Sequence, residues 1–237
     1  MKNLLFGLLA ILVFNSVNAQ EVETNEDGSW YTLINKFKVS NKLYFLNVAQ
    51  WRQVDFASTN RIFLVAPSVN YKLTNKVTAG AGYMYLNYNQ AGIRKPGLDD
   101  EERIWQHVTL SSTFGKAKMS QRFMFEERFK IKNNGSKAYA NRFRYRVNLD
   151  FNLFKLSNGK YVLGKLSEEM RIKFASGINE PEFDQNNFSA LVGYKVLDNA
   201  KLYLGYGRNY YNGSSGYWGD HLMHVVFSYG FDFSKKK

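Results

Sequence analysis

The stretch 138–154 alternates between two kinds of side chain with a period of two, which is the pattern of a β-strand with two different faces. One face is aromatic or aliphatic, and the other carries Arg142, Arg144 and Arg146 followed by amides and an acid. The stretch is longer than the roughly 5–6 residues usual for strands in globular sheets and longer than the ~9–11 that cross a membrane. It therefore predicts a strand that spans a bilayer and projects beyond it.

The three arginines indicate which face of this strand points inward. An arginine that faces lipid at the bilayer midplane costs roughly 2–4 kcal/mol, so three of them would cost on the order of 6–12 kcal/mol. We therefore expect the arginines to face the lumen of a β-barrel and the aromatic residues to face the acyl chains.

The stretches 117–131 and 160–174 alternate in the same way on either side of this strand. Glu126 and Glu169 lie on their polar faces, so both carboxylates are expected to reach the arginines between them. The predicted lumen charge network consists of Arg122, Glu126, Arg128, Arg142, Arg144, Arg146, Glu169 and Arg171. We expect it to brace the lumen, and an anion-selective or anion-binding constriction is the functional alternative. Glu127, on the aromatic face, is expected near the membrane interface.

The whole chain from Trp30 onward divides into such segments, with alternating short turns and longer loops. The predicted strands are 30–39, 42–52, 61–73, 76–88, 103–114, 117–131, 138–154, 160–174, 187–197, 201–211 and 221–233. The longer loops lie around 53–60, 89–102, 132–137, 175–186 and 212–220. Outer-membrane barrels show this asymmetry, with short turns on the periplasmic side and long loops outside.

Eleven segments conflict with the even strand number of single-chain bacterial barrels. Either 30–39 is not a full strand, which gives ten, or a further strand is hidden, which gives twelve. Pro67 lies inside a good strand pattern and requires a bulge or a locally missing ladder bond. The fold class predicted is all-β, a transmembrane antiparallel up-and-down barrel of 10–12 strands.

The first nineteen residues predict a cleaved signal peptide. Lys2 precedes an apolar run from Leu4 to Phe14, and Val17-Asn18-Ala19 fits the cleavage rule before Gln20. Residues 20–237 are then a single barrel domain in the outer membrane. The chain has no cysteine, so it has no disulfide framework. Its net charge of +12 falls to +11 without Lys2, and export makes nucleic acid an unlikely partner for it.

The pattern of the last strand predicts a protein partner. Val225, Phe227, Tyr229, Phe231 and Phe233 alternate up to the end of the chain, the type of strand that barrel-assembly machinery recognises. Four residues follow Phe233, whereas such strands usually end on the aromatic residue. The other expected partners are outer-membrane lipids and lipopolysaccharide.

The chain resembles a family of exported Gram-negative outer-membrane β-barrels catalogued only as a domain of unknown function. The resemblance rests on Trp30, Gly80–Tyr85, Gln121–Phe129 and Asn141–Arg146, and it covers nearly all of the mature chain. It implies a location and a fold, but no activity.

One alternative to a structural barrel or a small-solute pore is an enzyme. An outer-membrane lipid-modifying enzyme uses a histidine that activates a serine. Here His107 and His224 are expected to point inward with Thr109 and Ser228, as ordinary lumen residues, and His221 to lie at a loop–strand junction. We therefore predict no enzymatic activity.

Metal binding and a soluble fold complete the alternatives. The carboxylate run 99–102 could hold Ca²⁺ through its oxygen atoms, but a solvated charge run in a loop is the favoured interpretation. We predict no metal and no cofactor. A soluble periplasmic barrel that binds an apolar ligand is also consistent with alternation alone. It would turn the arginines to water and the aromatic residues inward.

Overall fold

The computed structural model describes residues 22–89, 98–175, 181–213 and 216–234. These residues form eleven β-strands and no helix, so all eleven predicted segments are strands. In chain order the strands are β1 (Val22–Lys38), β2 (Leu43–Val54), β3 (Thr59–Lys72), β4 (Val77–Tyr88), β5 (Leu98–Phe114), β6 (Ala117–Lys132), β7 (Lys137–Lys155), β8 (Tyr161–Ala175), β9 (Glu182–Leu197), β10 (Ala200–Gly213) and β11 (Gly216–Asp232). The predicted signal peptide lies outside the described residues.

The eleven strands form one closed barrel, in which every strand pairs with its neighbours in sequence and β1 pairs with β11. Ten of the pairings are antiparallel, whereas β1 and β11 run parallel, with Trp30 opposite His224 and Lys38 opposite Asp232. This parallel pair is the reason why an odd number of strands can close. The count of eleven lies within the predicted range of 10–12 strands, but neither of the two ways of reaching an even number, ten or twelve, is found.

The parallel pairing also places the start of β1 and the end of β11 on opposite rims of the barrel. The start of β1 lies beside the start of β11, at the rim where the long loops lie. The end of β11 lies beside the end of β1, at the rim of the short turns. We call these the loop rim and the turn rim.

Several strands begin closer to the loop rim than their sequence pattern indicates. β1 begins at Val22 instead of residue 30, β5 at Leu98 instead of 103, β9 at Glu182 instead of 187 and β11 at Gly216 instead of 221. The added residues are mostly polar. Backbone ladder bonds hold them in the sheet after the alternation of apolar and polar side chains has ended.

Pro67 interrupts the sheet as expected. It pairs with Asn47 on β2, but the pairing of β3 with β4 omits Ala66 and Pro67 between Val65 and Ser68. The register on either side of the gap is the same. Because proline has no N–H to donate, the ladder bond is missing without a bulge.

The side chains at the turn rim stabilise the short connections. The Ser40 hydroxyl accepts hydrogen bonds from the N–H groups of Lys42 and Leu43, at 3.2 and 2.9 Å. Thr74 accepts in the same way from Lys76 and Val77, at 3.1 and 3.0 Å. Hydroxyl side chains that bond the backbone two and three residues ahead favour tight turns.

The outer wall of the barrel is largely apolar and exposed. Trp51, Phe63, Ile104, Val192 and Leu204 are each about half exposed, between 47 and 55%. Most charged side chains of β5 to β9 lie on the opposite, lumen side, where many are buried. This orientation is the reverse of the one that a soluble barrel with an apolar interior requires.

The lumen has an apolar side and a charged side. Leu64, Ala66 and Leu86 form a buried cluster on β3 and β4, against which Met84 and Tyr88 pack. Charged residues occupy β5 to β9 opposite this cluster. The described residues contain no helix that is long and apolar enough to cross a membrane.

Glycines on the lumen face leave room for large side chains. A Cβ at Gly82 would lie 2.4 Å from the Trp105 ring, and one at Gly207 would lie 2.2 Å from His224 Nε2. The absence of a side chain at Gly82 and Gly207 therefore lets Trp105 and His224 pack into the lumen.

Candidate functional site: the arginine–glutamate layer of the lumen

Ion pairs join five neighbouring strands into one cluster inside the barrel, in the half nearer the loop rim. We call it the Arg/Glu layer. It consists of Glu101, Arg103, Arg122, Glu126, Arg128, Arg142, Arg144, Arg146, Glu169, Arg171 and Asp184. Three glutamates form its centre, and each is at most 1% exposed although it faces a lumen. Side chains therefore fill the barrel at this level.

Glu126 on β6 holds two arginines of the neighbouring strand. Its Oε2 accepts from Arg142 Nε at 2.8 Å, and its Oε1 accepts from Arg144 Nη1 at 2.5 Å. Arg103 Nη1 lies 3.8 Å from the same carboxylate on its other side. The register places Glu126 directly opposite Arg142, so the pair is set by the backbone ladder.

Glu169 on β8 is the most highly connected carboxylate. Arg144 donates to its two oxygens from Nη2 and Nε, at 2.6 and 3.2 Å, and Arg171 donates from Nη2 and Nε, at 2.7 and 3.0 Å. Arg122 Nη2 donates at 3.0 Å, and Arg146 Nε lies 3.0 Å away. Arg144 therefore bridges Glu126 and Glu169, and it ties β6 and β8 to β7.

Glu101 on β5 forms the third centre. Arg128 donates to it from Nε and Nη2, at 2.5 and 3.1 Å, and Arg103 donates from Nε at 2.7 Å. The Tyr88 hydroxyl donates to Glu101 Oε2 at 2.8 Å. Tyr88 also packs against the apolar cluster of β3 and β4, so it connects the two sides of the lumen.

Asp184 on β9 enters the layer because of a break in the register. It accepts from Arg142 Nη1 at 2.8 Å, and Arg128 Nη1 lies 4.0 Å away. The pairing of β8 with β9 shifts between Arg171 and Ile172. Gln185 and the following odd-numbered residues of β9 face the lumen, so Asp184 would face outward in a regular strand. The extra residue at the register shift turns Asp184 inward as well.

All eight residues of the predicted charge network lie in this one layer. Sequence reasoning missed Glu101, Arg103 and Asp184. Arg103 lies in the predicted strand 103–114 with the parity of His107, so the alternation of that strand places it on the lumen face. Glu101 has the same parity, but it precedes the predicted strand. Asp184 has no such signal, because the register shift reverses its parity.

The structure corrects the prediction made for the carboxylate run 99–102. The run does not form a solvated loop, because β5 begins at Leu98 and Glu101 is 0% exposed. Asp100 points the other way and accepts from the Tyr85 hydroxyl at 2.7 Å. Among the described residues, no group of three or more histidine and carboxylate side chains is arranged to hold a metal ion.

The histidines occupy three different environments. His107 faces the lumen, where Nδ1 lies 3.0 Å from the Thr109 hydroxyl and Nε2 lies 3.0 Å from Asn70 Oδ1. His224 also faces the lumen and packs against the Trp30 ring at 5.1 Å. His221 is inside β11 and not at a loop–strand junction, because that strand begins five residues earlier. Its ring nitrogen lies 2.6 Å from the Tyr206 hydroxyl on the outer wall.

A smaller cluster lies beside the Arg/Glu layer, where β1, β3 and β11 approach one another. Arg61 donates to Asp220 Oδ2 at 3.2 Å and also pairs with Glu26. The Tyr211 hydroxyl donates to Asp220 Oδ2 at 3.1 Å. Its described members carry two carboxylates and one guanidinium group.

Together, the fold and the site define a closed β-barrel with an apolar outer wall and a lumen crossed by a buried layer of ion pairs. A family model described as Protein of unknown function (DUF2490) matches residues 27–220. The chain therefore belongs to this family, in agreement with the resemblance to an uncharacterised domain. No curated protein and no solved structure matches the chain.

Proposed function

We propose that this protein is an outer-membrane barrel, exported by a cleaved signal peptide, whose lumen is closed by the Arg/Glu layer. Its role is structural, and it has no enzymatic activity. The observation that carries the proposal is the burial of Glu101, Glu126 and Glu169 in the lumen of a barrel whose outer wall exposes large apolar side chains. A lumen open at this level would expose these carboxylates to water.

The membrane location is supported by the composition of the outward positions. Between residues 139 and 153 of β7 these are Tyr139, Asn141, Phe143, Tyr145 and then every second residue from Val147 to Leu153, without a charge. Lipid tails would cover this wall, with the turn rim in the periplasm and the loop rim outside. Lipopolysaccharide would then contact the loop rim, and the assembly machinery would bind the exposed aromatic face of β11.

Cell fractionation tests the location. We expect the protein in the outer-membrane fraction, released only by detergent. Recovery in the soluble periplasmic fraction would overturn the membrane part of the proposal.

Planar-bilayer conductance tests the closure. We expect no channel steps from the purified wild type, because the buried ion pairs leave no water path. The double variant Glu126→Ala with Arg144→Ala removes one charge of each sign and the bulk between β6 and β8, so we expect it to conduct. Glu127→Ala, on the outer wall, serves as the control and should stay silent. Steady open channels in the wild type would contradict the closed lumen.

A narrow anion-selective pore is the second candidate, and the charge of the layer favours it. Seven arginines face four carboxylates, so the layer is positive. If the wild type conducts, the reversal potential in a chloride gradient should show preference for the anion. A preference for cations would exclude this candidate.

The enzyme alternative has only the contact between His107 and Thr109 in its favour. Both side chains face the lumen and not the lipid-facing wall, so a lipid substrate would have no direct route to them. We expect no acyl release from phospholipid by the wild type. Release that Thr109→Ala abolishes would overturn this part of the proposal.

A further inference from the structure

The interior charge of the barrel does not balance among the described residues. Arg52, on the opposite wall, faces the Arg/Glu layer, so eight guanidinium groups lie near four carboxylates and leave a formal charge of +4. The neighbouring cluster of Arg61, Glu26 and Asp220 contributes −1, which still leaves +3. Uncompensated charge in a protein interior is costly and requires a counter-charge.

Arg52 is the one of these eight cations that has no ion pair to a carboxylate in the described part of the chain. Its Nε donates to Gln50 Oε1 at 2.7 Å, and Gln50 is in turn fixed by a 2.7 Å hydrogen bond to the Thr32 hydroxyl. The guanidinium plane lies 4.0 Å from the Trp30 ring centroid. Gln50 and Trp30 therefore hold the side chain in place, while no carboxylate of the described residues pairs with its charge.

The arginines across the lumen repel Arg52. Arg103, Arg142 and Arg144 lie close enough across the lumen for direct electrostatic repulsion. Each of these three is bound to Glu101, Glu126 or Glu169, so their carboxylates are already occupied. The lumen around Arg52 is thus positive, and Gln50 and Trp30 fix the orientation of its guanidinium fork. Such a fork suits an oxyanion or a halide.

We propose that the lumen binds a small inorganic anion at Arg52. The anion lies between this side chain, which Gln50 and Trp30 hold in place, and the arginines of the layer. The anion supplies the missing negative charge beside the layer that closes the lumen. The inference deepens the proposed closed barrel, but it concerns binding and not conduction.

Calorimetric titration of the full-length mature protein with inorganic phosphate, in detergent and in chloride-free buffer, tests the site. We expect saturable binding to the wild type, with chloride as a competitor. Arg52→Gln removes the charge, and we expect it to weaken phosphate binding by tenfold or more. Arg208→Gln, on the exposed outer wall of β10, is the matched control and should bind as the wild type does.

Folding of each variant is checked by heat-modifiable migration on gels. Arg52→Lys keeps the charge but loses the fork, so it should fold and bind phosphate with intermediate affinity. The absence of saturable binding in the wild type would overturn the proposal, and so would equal binding in a folded Arg52→Gln variant. Because conductance is measured separately, a phosphate-binding wild type with open channels would refute the closed lumen and leave the anion site standing.

Discussion

At the scale of single residues, the Arg/Glu layer shows what a buried ion pair contributes. Glu126 and Glu127 are adjacent in sequence and differ only in the face that they occupy. Glu126 is 0% exposed and bound to Arg142 and Arg144, whereas Glu127 lies partly exposed on the outer wall, 3.3 Å from the Tyr139 hydroxyl. Burial makes the first pair costly to break, because its partners stay buried without their counter-charge.

We therefore predict that Glu126→Gln destabilises the barrel by about 3–5 kcal/mol, the usual cost of removing one member of a buried ion pair. Glu127→Gln should change stability by less than about 0.5 kcal/mol, as at most exposed positions. Urea unfolding of the refolded barrel, followed by tryptophan fluorescence, measures both. Equal effects of the two substitutions would show that the layer contributes no more than the outer wall does.

At the scale of the strand, two residues of β9 allow a test of whether lipid or water surrounds the barrel. Val192 lies well inside the strand and Leu197 at its end at the turn rim, yet the two side chains are almost equally exposed, at 55 and 56%. In a bilayer the cost of a charged side chain depends on its depth in the membrane, whereas in water it depends only on how exposed the side chain is.

We predict that Val192→Arg costs roughly 2–4 kcal/mol in a bilayer and lowers the amount of assembled barrel, whereas Leu197→Arg costs ~0–1 kcal/mol. Heat-modifiable migration of the protein from isolated membranes measures the assembled fraction. If the two arginine variants assemble equally well, the outer wall does not face lipid.

How far each strand could be predicted depended on its pattern. The polar and apolar faces of 117–131, 138–154 and 160–174 alternate with few exceptions, such as Glu127, so their strands and inward residues followed from sequence. The beginning of β5 could not be predicted, since the acidic run 99–102 has no alternation of apolar and polar residues. Asp184 could not be predicted either, because a register shift is set by the pairing of two strands and not by one strand's pattern.

At the scale of the whole molecule, the parallel pair of β1 and β11 determines how the barrel closes. The register places Ile34 beside Ser228, both on the lumen face, and Asp232 four residues further along β11. The chain has no cysteine, so an engineered pair can form a disulfide without a competitor.

We predict that Ile34→Cys with Ser228→Cys forms a disulfide on oxidation, because aligned residues of paired strands lie within the Cα separation that a disulfide spans. Ile34→Cys with Asp232→Cys should not, since four residues along a strand span roughly 13 Å. Mobility on non-reducing gels detects the bond. Cross-linking of the second pair alone would mean that the barrel closes in another register or direction.

The sequence by itself determined the all-β class, the division into eleven strands, the direction of each face and eight members of the Arg/Glu layer. These features follow from the period of two along a strand and from the cost of arginine in lipid, both of which are local. Only the tertiary structure decided that eleven strands close through a parallel pair, that Glu101 and Asp184 join the layer, and that Arg52 faces it from the opposite wall. These depend on which distant segments pair and in which register, and a pattern along one strand carries no information about its partner.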